Sequence, residues 1–335
     1  MDEGEIKAAI SQDFSITNTY AIENGYEYYV ESKDDAKACF IKLYWKLYNE
    51  GYIPSLTASG RGMLISVVKA HEEKHRGRIL PLALILASAL TILLDGYFRL
   101  RGSVEPLLLN ISIYAASLLA FIAAHELGLL LIRRKWRTKN DLPYLIPGIP
   151  TSIPIMGNVS PTNGYPINRD QQFDMGYAGL ISGLFMAIAL FVLGMRFPVS
   201  IIKINLQLPI ILKLLGYSNV SSISSPIVLA SLFGLLITFL NFMPIWQLDG
   251  GHMISSILSR RLRIITDFAS IIVMSLLGFF YLAFLMIILS SWSRVEDPLD
   301  NISQVSLSRK AVYAGLLAIM VAIFILFLTP LVLAF

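Results

Sequence analysis

Two fragments hold side chains suited to metal and proton chemistry, and they lie more than a hundred positions apart. "AAHELGLLLI" (123–132) sets His125 and Glu126 in an otherwise apolar run. On a helix, His-Glu-x-x-His puts two imidazoles on one face to hold zinc, with the glutamate as base. Here the last position of that pattern is Leu129, which has no lone pair to give. "LNFMPIWQLDGGHM" (240–253) sets Asn241, Pro244 and Asp249 around a helix break. Pro244 frees backbone groups, Gly250 and Gly251 permit sharp turning, and Asp249 supplies a carboxylate. Ionisable groups in membrane-length apolar segments are expensive, so by default they mark a site. The bland alternative for His125 and Glu126 is a helix-packing pair satisfied by a neighbouring span. A complete match, "HEEKH" (71–75), sits in the charged run "KAHEEKHRGR" with nothing apolar to exclude water. It reads as a polar connector.

The elements that must position these residues are mostly apolar helices. Of 335 residues, 55% are apolar and 15% charged, against roughly 25% charged in a soluble domain. A bilayer core takes about 20 helical residues, and six segments are candidates: 79–98, 106–132, 173–195, 226–245, 265–291 and 311–335. The fold class expected is therefore mainly α, a polytopic membrane protein with about six transmembrane helices and a small N-terminal α/β cytoplasmic domain. Segment 265–291 stays open between a crossing and a bent or re-entrant piece, because the loop after it balances its charges. Basic clusters at Lys74–Arg78, Arg133–Lys139 and Arg260–Arg263 all fall on one side if crossings alternate, and that side is cytoplasmic. They speak for topology and lipid headgroups rather than nucleic acid. Each chemical fragment precedes such a cluster by a similar distance, so both can meet at one depth.

Residues 1–75 read as a soluble β-α-β-β unit, and 76–335 as the membrane domain. "YEYYV" (26–30) is rich in strand formers, 34–51 has helical spacing with Gly51 as its stop, and 53–70 is two strands joined by a glycine turn. No basic-then-apolar leader opens the chain. The single Cys39 excludes an intramolecular disulfide. "DLPYLIPGIPTSIPIMGN" (141–158) is apolar yet carries four prolines, so it is not a helix; it is expected to skim or re-enter the membrane under protein cover. Gly179-x-x-x-Gly183 allows close helix packing.

Together the two fragments resemble the site-2 proteases, intramembrane zinc metalloproteases with a helical His-Glu-x-x-His in one span and Asn-x-x-Pro-x-x-x-x-Asp-Gly in a later one. The second motif is complete here, "NFMPIWQLDG". "GYIP", "LPYLIPGIP", "NRDQQFDMGYAG" and "RVEDPLDN" extend the likeness over most of the chain from about residue 26, towards the archaeal and chloroplast branch. The resemblance implies His125 and Asp249 as zinc ligands, Glu126 as general acid/base and Asn241 as the group orienting the substrate carbonyl. The implied partners are transmembrane protein substrates within the lipid bilayer.

Leu129 departs from that pattern, and two ligands hold zinc far more weakly than three. Three explanations stand: a non-catalytic relative, an inactivated variant of an active enzyme, or rescue by His71, His75 or His252. His252 is read as a supporting or structural residue. The expected function is intramembrane proteolysis impaired by Leu129, with a non-catalytic binder of transmembrane helices as the alternative. A transporter is a distant third: Asp95 is an isolated charge near the outer end of its helix, and paired broken helices are absent. Leu180 stands where the family often has proline.

Overall fold

The computed structural model describes residues 1–60, 62–70, 77–102, 106–138, 142–159, 165–197, 225–245, 248–277, 279–292 and 297–325. The chain forms two compact units. One gathers 1–76, 163–173 and 296–309; the other holds 77–162, 174–295 and 310–335.

The first unit opens with α1 (Glu3–Ser11), started by a reciprocal cap in which Asp2 accepts from the Glu5 N–H at 2.8 Å and Glu5 accepts from Asp2. The strands β1 (Phe14–Ile22), β2 (Gly25–Ser32), β3 (Tyr52–Ser59) and β4 (Gly62–Lys69) form an antiparallel sheet in the order β1-β2-β4-β3. Helix α2 (Ala36–Asn49), capped by Asp35, buries Phe40, Leu43 and Leu47; Ile6, Phe14, Leu56 and Ile65 complete the core. Both α1 and β1 precede the β-α-β-β expected from sequence. Strand β1 has only Phe14 buried, so it carries little of the alternation by which a half-buried strand is recognised.

This unit also recruits two late segments. Leu56 of β3 donates to the Leu299 carbonyl at 2.7 Å and accepts from Asn301 at 3.0 Å, while Leu299 and Asp300 donate to Pro166 and Ile167 at 2.8 and 2.9 Å. Asp170 then pairs with Lys37 at 2.7 Å and Arg309 at 3.0 Å.

The second unit holds α3 (Ile79–Leu100), α4 (Leu107–Lys135) and most of α5 (Arg169–Arg196), three helices long and apolar enough to cross a membrane. The other expected spans differ. Segment 226–245 gives a 17-residue helix, α6 (Pro226–Phe242), with every residue but Ile227 buried. Segment 265–291 is divided between α8 (Arg260–Leu276) and α9 (Phe280–Trp292), and the last begins as α10 (Leu307–Ile323). Short α7 (Asp249–Ile257) follows the break after α6. The proline-rich segment holds an antiparallel hairpin, β5 (Tyr144–Ile149) and β6 (Ile153–Val159), lying beside α3. "HEEKH", with His71 and His75, lies outside the described residues.

Candidate functional site

The break between α6 and α7 places Asp249. Met243, before Pro244, is extended at ψ 135°, as a residue preceding proline prefers. The chain then restarts as α7 with Asp249 in its first turn, where a carboxylate meets the positive end of the helix. The turn is tight: a Cβ on Gly250 would stand 2.0 Å from the Phe242 carbonyl oxygen, so a side chain is excluded there.

From α4, His125 points at this carboxylate. Its Nε2 lies 2.7 Å from Asp249 Oδ2, and the side chains are 6% and 13% exposed. The two polar islands, 124 positions apart, therefore meet at hydrogen-bond distance. Helix α5 closes one side of the imidazole, because the backbone comes so near at Gly179 that a Cβ would lie 2.7 Å from Cε1 and Nε2. The Gly179-x-x-x-Gly183 spacing is thus a seat for the His125 ring as well as a packing motif.

The hairpin closes the other side. Asn158 on β6 donates from Nδ2 to Glu126 Oε1, and the same nitrogen stands 3.3 Å from His125 Nδ1. A carboxylate only accepts, which fixes the amide nitrogen towards Glu126. Nδ1 thus faces Asn158 and, at 3.5 Å, the Glu126 carboxylate, while Nε2 faces Asp249. Asn241, 5% exposed, shares a cavity of about 20 Å³ with His125, Asn158 and Phe121, enough for one water-sized group. Sequence reasoning singled out His125, Glu126, Asn241 and Asp249, which gather around this cavity and the adjoining ion pair. It missed Asn158, whose role depends on a hairpin that has no periodic signal in a proline-rich segment.

Leu129 stands one turn beyond His125, 5% exposed, and its Cγ faces the same Gly179 backbone, so near that a Cβ there would lie 3.1 Å away. A hydrolytic zinc site takes three protein donors and one water. The residues here offer His125 and Asp249 and, at the third place, hydrocarbon. Among the described residues no three His, Cys, Asp or Glu side chains gather closely enough to hold a metal ion, so His252 does not make up the set. The donor set does not fit a hydrolytic zinc.

Comparison with known proteins places this arrangement. The model of peptidase family M50 matches residues 113–285, 173 of the 335 positions, and spans both chemical fragments. The chain belongs to peptidase family M50. It is 24% identical over 233 residues to the probable zinc metalloprotease EGY1, chloroplastic, of Arabidopsis thaliana, covering 63% of this chain and 42% of that protein. The chain thus spans less than half the length of that curated relative. Among solved structures, the site-2 protease from Methanocaldococcus jannaschii matches at 17% identity and a TM-score of 0.36, over 62% of this chain and 84% of that one.

Proposed function

We propose that this M50 member is an intramembrane protease of the site-2 type, directed at peptide bonds in transmembrane segments of membrane proteins and impaired as its sequence stands by Leu129. The observation that carries the reading is the 2.7 Å approach of His125 to Asp249 inside a bundle of apolar helices, with Glu126 and Asn241 beside it. In this reading His125 and Asp249 are the remaining zinc ligands, Glu126 is the general acid/base and Asn241 orients the scissile carbonyl. The basic clusters put the N-terminal unit and the site end of the helices on the cytoplasmic side.

One observation favours a second reading, a non-catalytic relative that holds transmembrane helices without cutting them. Leu129 is buried against α5, so hydrocarbon already fills the place of a third donor.

The test compares the chain with Leu129→His. Zinc is counted by mass spectrometry after chelation and reloading, and cleavage of a transmembrane reporter is followed with and without Glu126→Gln. On the protease reading, Leu129→His binds about one zinc per chain and gains cleavage that Glu126→Gln abolishes. Zinc uptake without cleavage favours the non-catalytic holder, and neither zinc nor cleavage removes the impaired-protease reading.

A further inference from the structure

The strongest unassigned feature is a line of polar side chains on α3, the face opposite its exposed leucines. Leu86, Leu90 and Leu93 are 71, 58 and 46% exposed. Ser88, Thr91, Asp95 and Arg99, at spacings of three and four, share the other face. Asp95 lies in the last turns of α3, where sequence suggested a nearby interface, yet it is 0% exposed. A buried carboxylate in such a helix needs a task and a partner.

Across to the hairpin, the partners of this polar line are backbone groups. Ser88 Oγ donates to the Leu145 carbonyl at 3.3 Å. Thr91 Oγ1 accepts from the Gly148 N–H at 3.4 Å and lies 3.2 Å from the Pro154 carbonyl oxygen. Asp95 Oδ1 accepts from the Thr151 N–H at 2.7 Å, and Arg99 Nη2 donates to the Ser152 carbonyl at 2.9 Å. Arg99 Nε also pairs with Asp95 at 2.9 Å, and Tyr114 of α4 donates to Asp95 at 2.5 Å. The guanidinium is seated 4.5 Å over the Phe233 ring.

The turn these groups grip is strained. Thr151 holds φ at +72°, a left-handed conformation that a β-branched residue avoids and that persists only where surroundings over-determine it. Its N–H is the one Asp95 captures. A pair serving only to join α3 to α4 would need Tyr114 alone; here the bonds follow the hairpin from residue 145 to residue 154.

We propose that Ser88, Thr91, Asp95 and Arg99 are positioning residues that clamp the β5–β6 hairpin along α3 and so set where Asn158 meets Glu126 and His125. The hairpin contacts stand by themselves; their bearing on chemistry rests on the function proposed above. Bonds to backbone atoms make the clamp indifferent to the hairpin's side chains, so β5 and β6 can vary without losing their seat.

The experiment is hydrogen exchange by mass spectrometry on the full chain in detergent micelles, comparing hairpin peptides across 144–159 with peptides of α6. Asp95→Asn is expected to speed hairpin exchange tenfold or more and leave α6 within twofold. Ser88→Ala combined with Thr91→Val, which buries no unpaired charge, is expected to speed hairpin exchange at least threefold. Unchanged hairpin exchange in both variants overturns the proposal. So does an equal rise in α6 for both variants, which would make the line a determinant of the whole bundle. The readout needs neither zinc nor cleavage, so a chain that fails the Leu129→His test still decides this one.

Discussion

Gly179→Ala probes the seat of the His125 ring directly. A methyl there would lie 2.7 Å from Cε1 and Nε2, about 0.7 Å inside the 3.4 Å at which ordinary contact begins, and 3.1 Å from Leu129 Cγ. The ring cannot simply swing aside: Asp249 holds Nε2 at 2.7 Å, Asn158 stands at Nδ1, and a Cβ at Gly183 would already touch Cδ2 at 3.5 Å. Either the His125–Asp249 bond lengthens or α4 and α5 part. Overpacking of this size costs about 1–3 kcal/mol, and replacing a helical glycine returns up to about 1 kcal/mol. The net is a loss of about 1–2 kcal/mol, or about 2–6 °C in melting temperature for a chain of this size. The assay is thermal unfolding in micelles, run as a double-mutant cycle with His125→Ala. Removing the imidazole should relieve most of the penalty, a coupling of about 1–2 kcal/mol. A Gly179→Ala chain as stable as the parent, or a penalty that persists unchanged in His125→Ala, would refute the close-approach reasoning.

Three further outcomes follow from local structure. Burial, helped by the Glu3 and then the Tyr26 charge, pushes the Tyr28 phenol up to about 12, so this group's stabilisation is complete below pH 10 and is lost as pH rises towards 12. Tyr28→Phe should abolish that loss in alkaline melting curves and add about 1 kcal/mol at neutral pH, since the buried hydroxyl has no hydrogen-bond partner among the described residues. Asp170→Asn strips the carboxylate from Lys37 and Arg309, whose side chains are 18 and 22% exposed; a fall of about 2–3 kcal/mol in chemical denaturation is expected for this partly buried trio. Gly250→Ala drives a methyl into backbone atoms of Phe242 and should cost at least about 3 kcal/mol, read as loss of monodisperse protein on size exclusion.

Legibility differed by the kind of signal. Strand β2 and helix α2 were readable because Tyr28, Val30, Phe40, Leu43 and Leu47 recur at the period of their element and are buried at that period. His125 and Asp249 stood out because charge in hydrocarbon is costly, and two such groups at matching depth have few ways to be satisfied other than each other. Asn158 carries no such mark. An asparagine after four prolines reads as loop, and only the register of β5 against β6 turns it towards Glu126. The pairing of Leu56 with Asp300 was equally hidden, since a single bridge leaves no pattern in either segment. Asp95 was noticed as a charge, but its bond to the hairpin goes to a backbone group, the Thr151 N–H, which sequence does not distinguish from any other.

That pairing has a bearing on how the protein is made. Strand β3 is translated more than 240 positions before the segment that covers its edge at Leu299 and Asn301. A nascent chain therefore presents a bare sheet margin while its greasy helices are still being synthesised, and an open margin invites adhesion to any passing strand. The N-terminal unit is thus finished only once residues near 300 have been made, although its sheet strands are complete by residue 69.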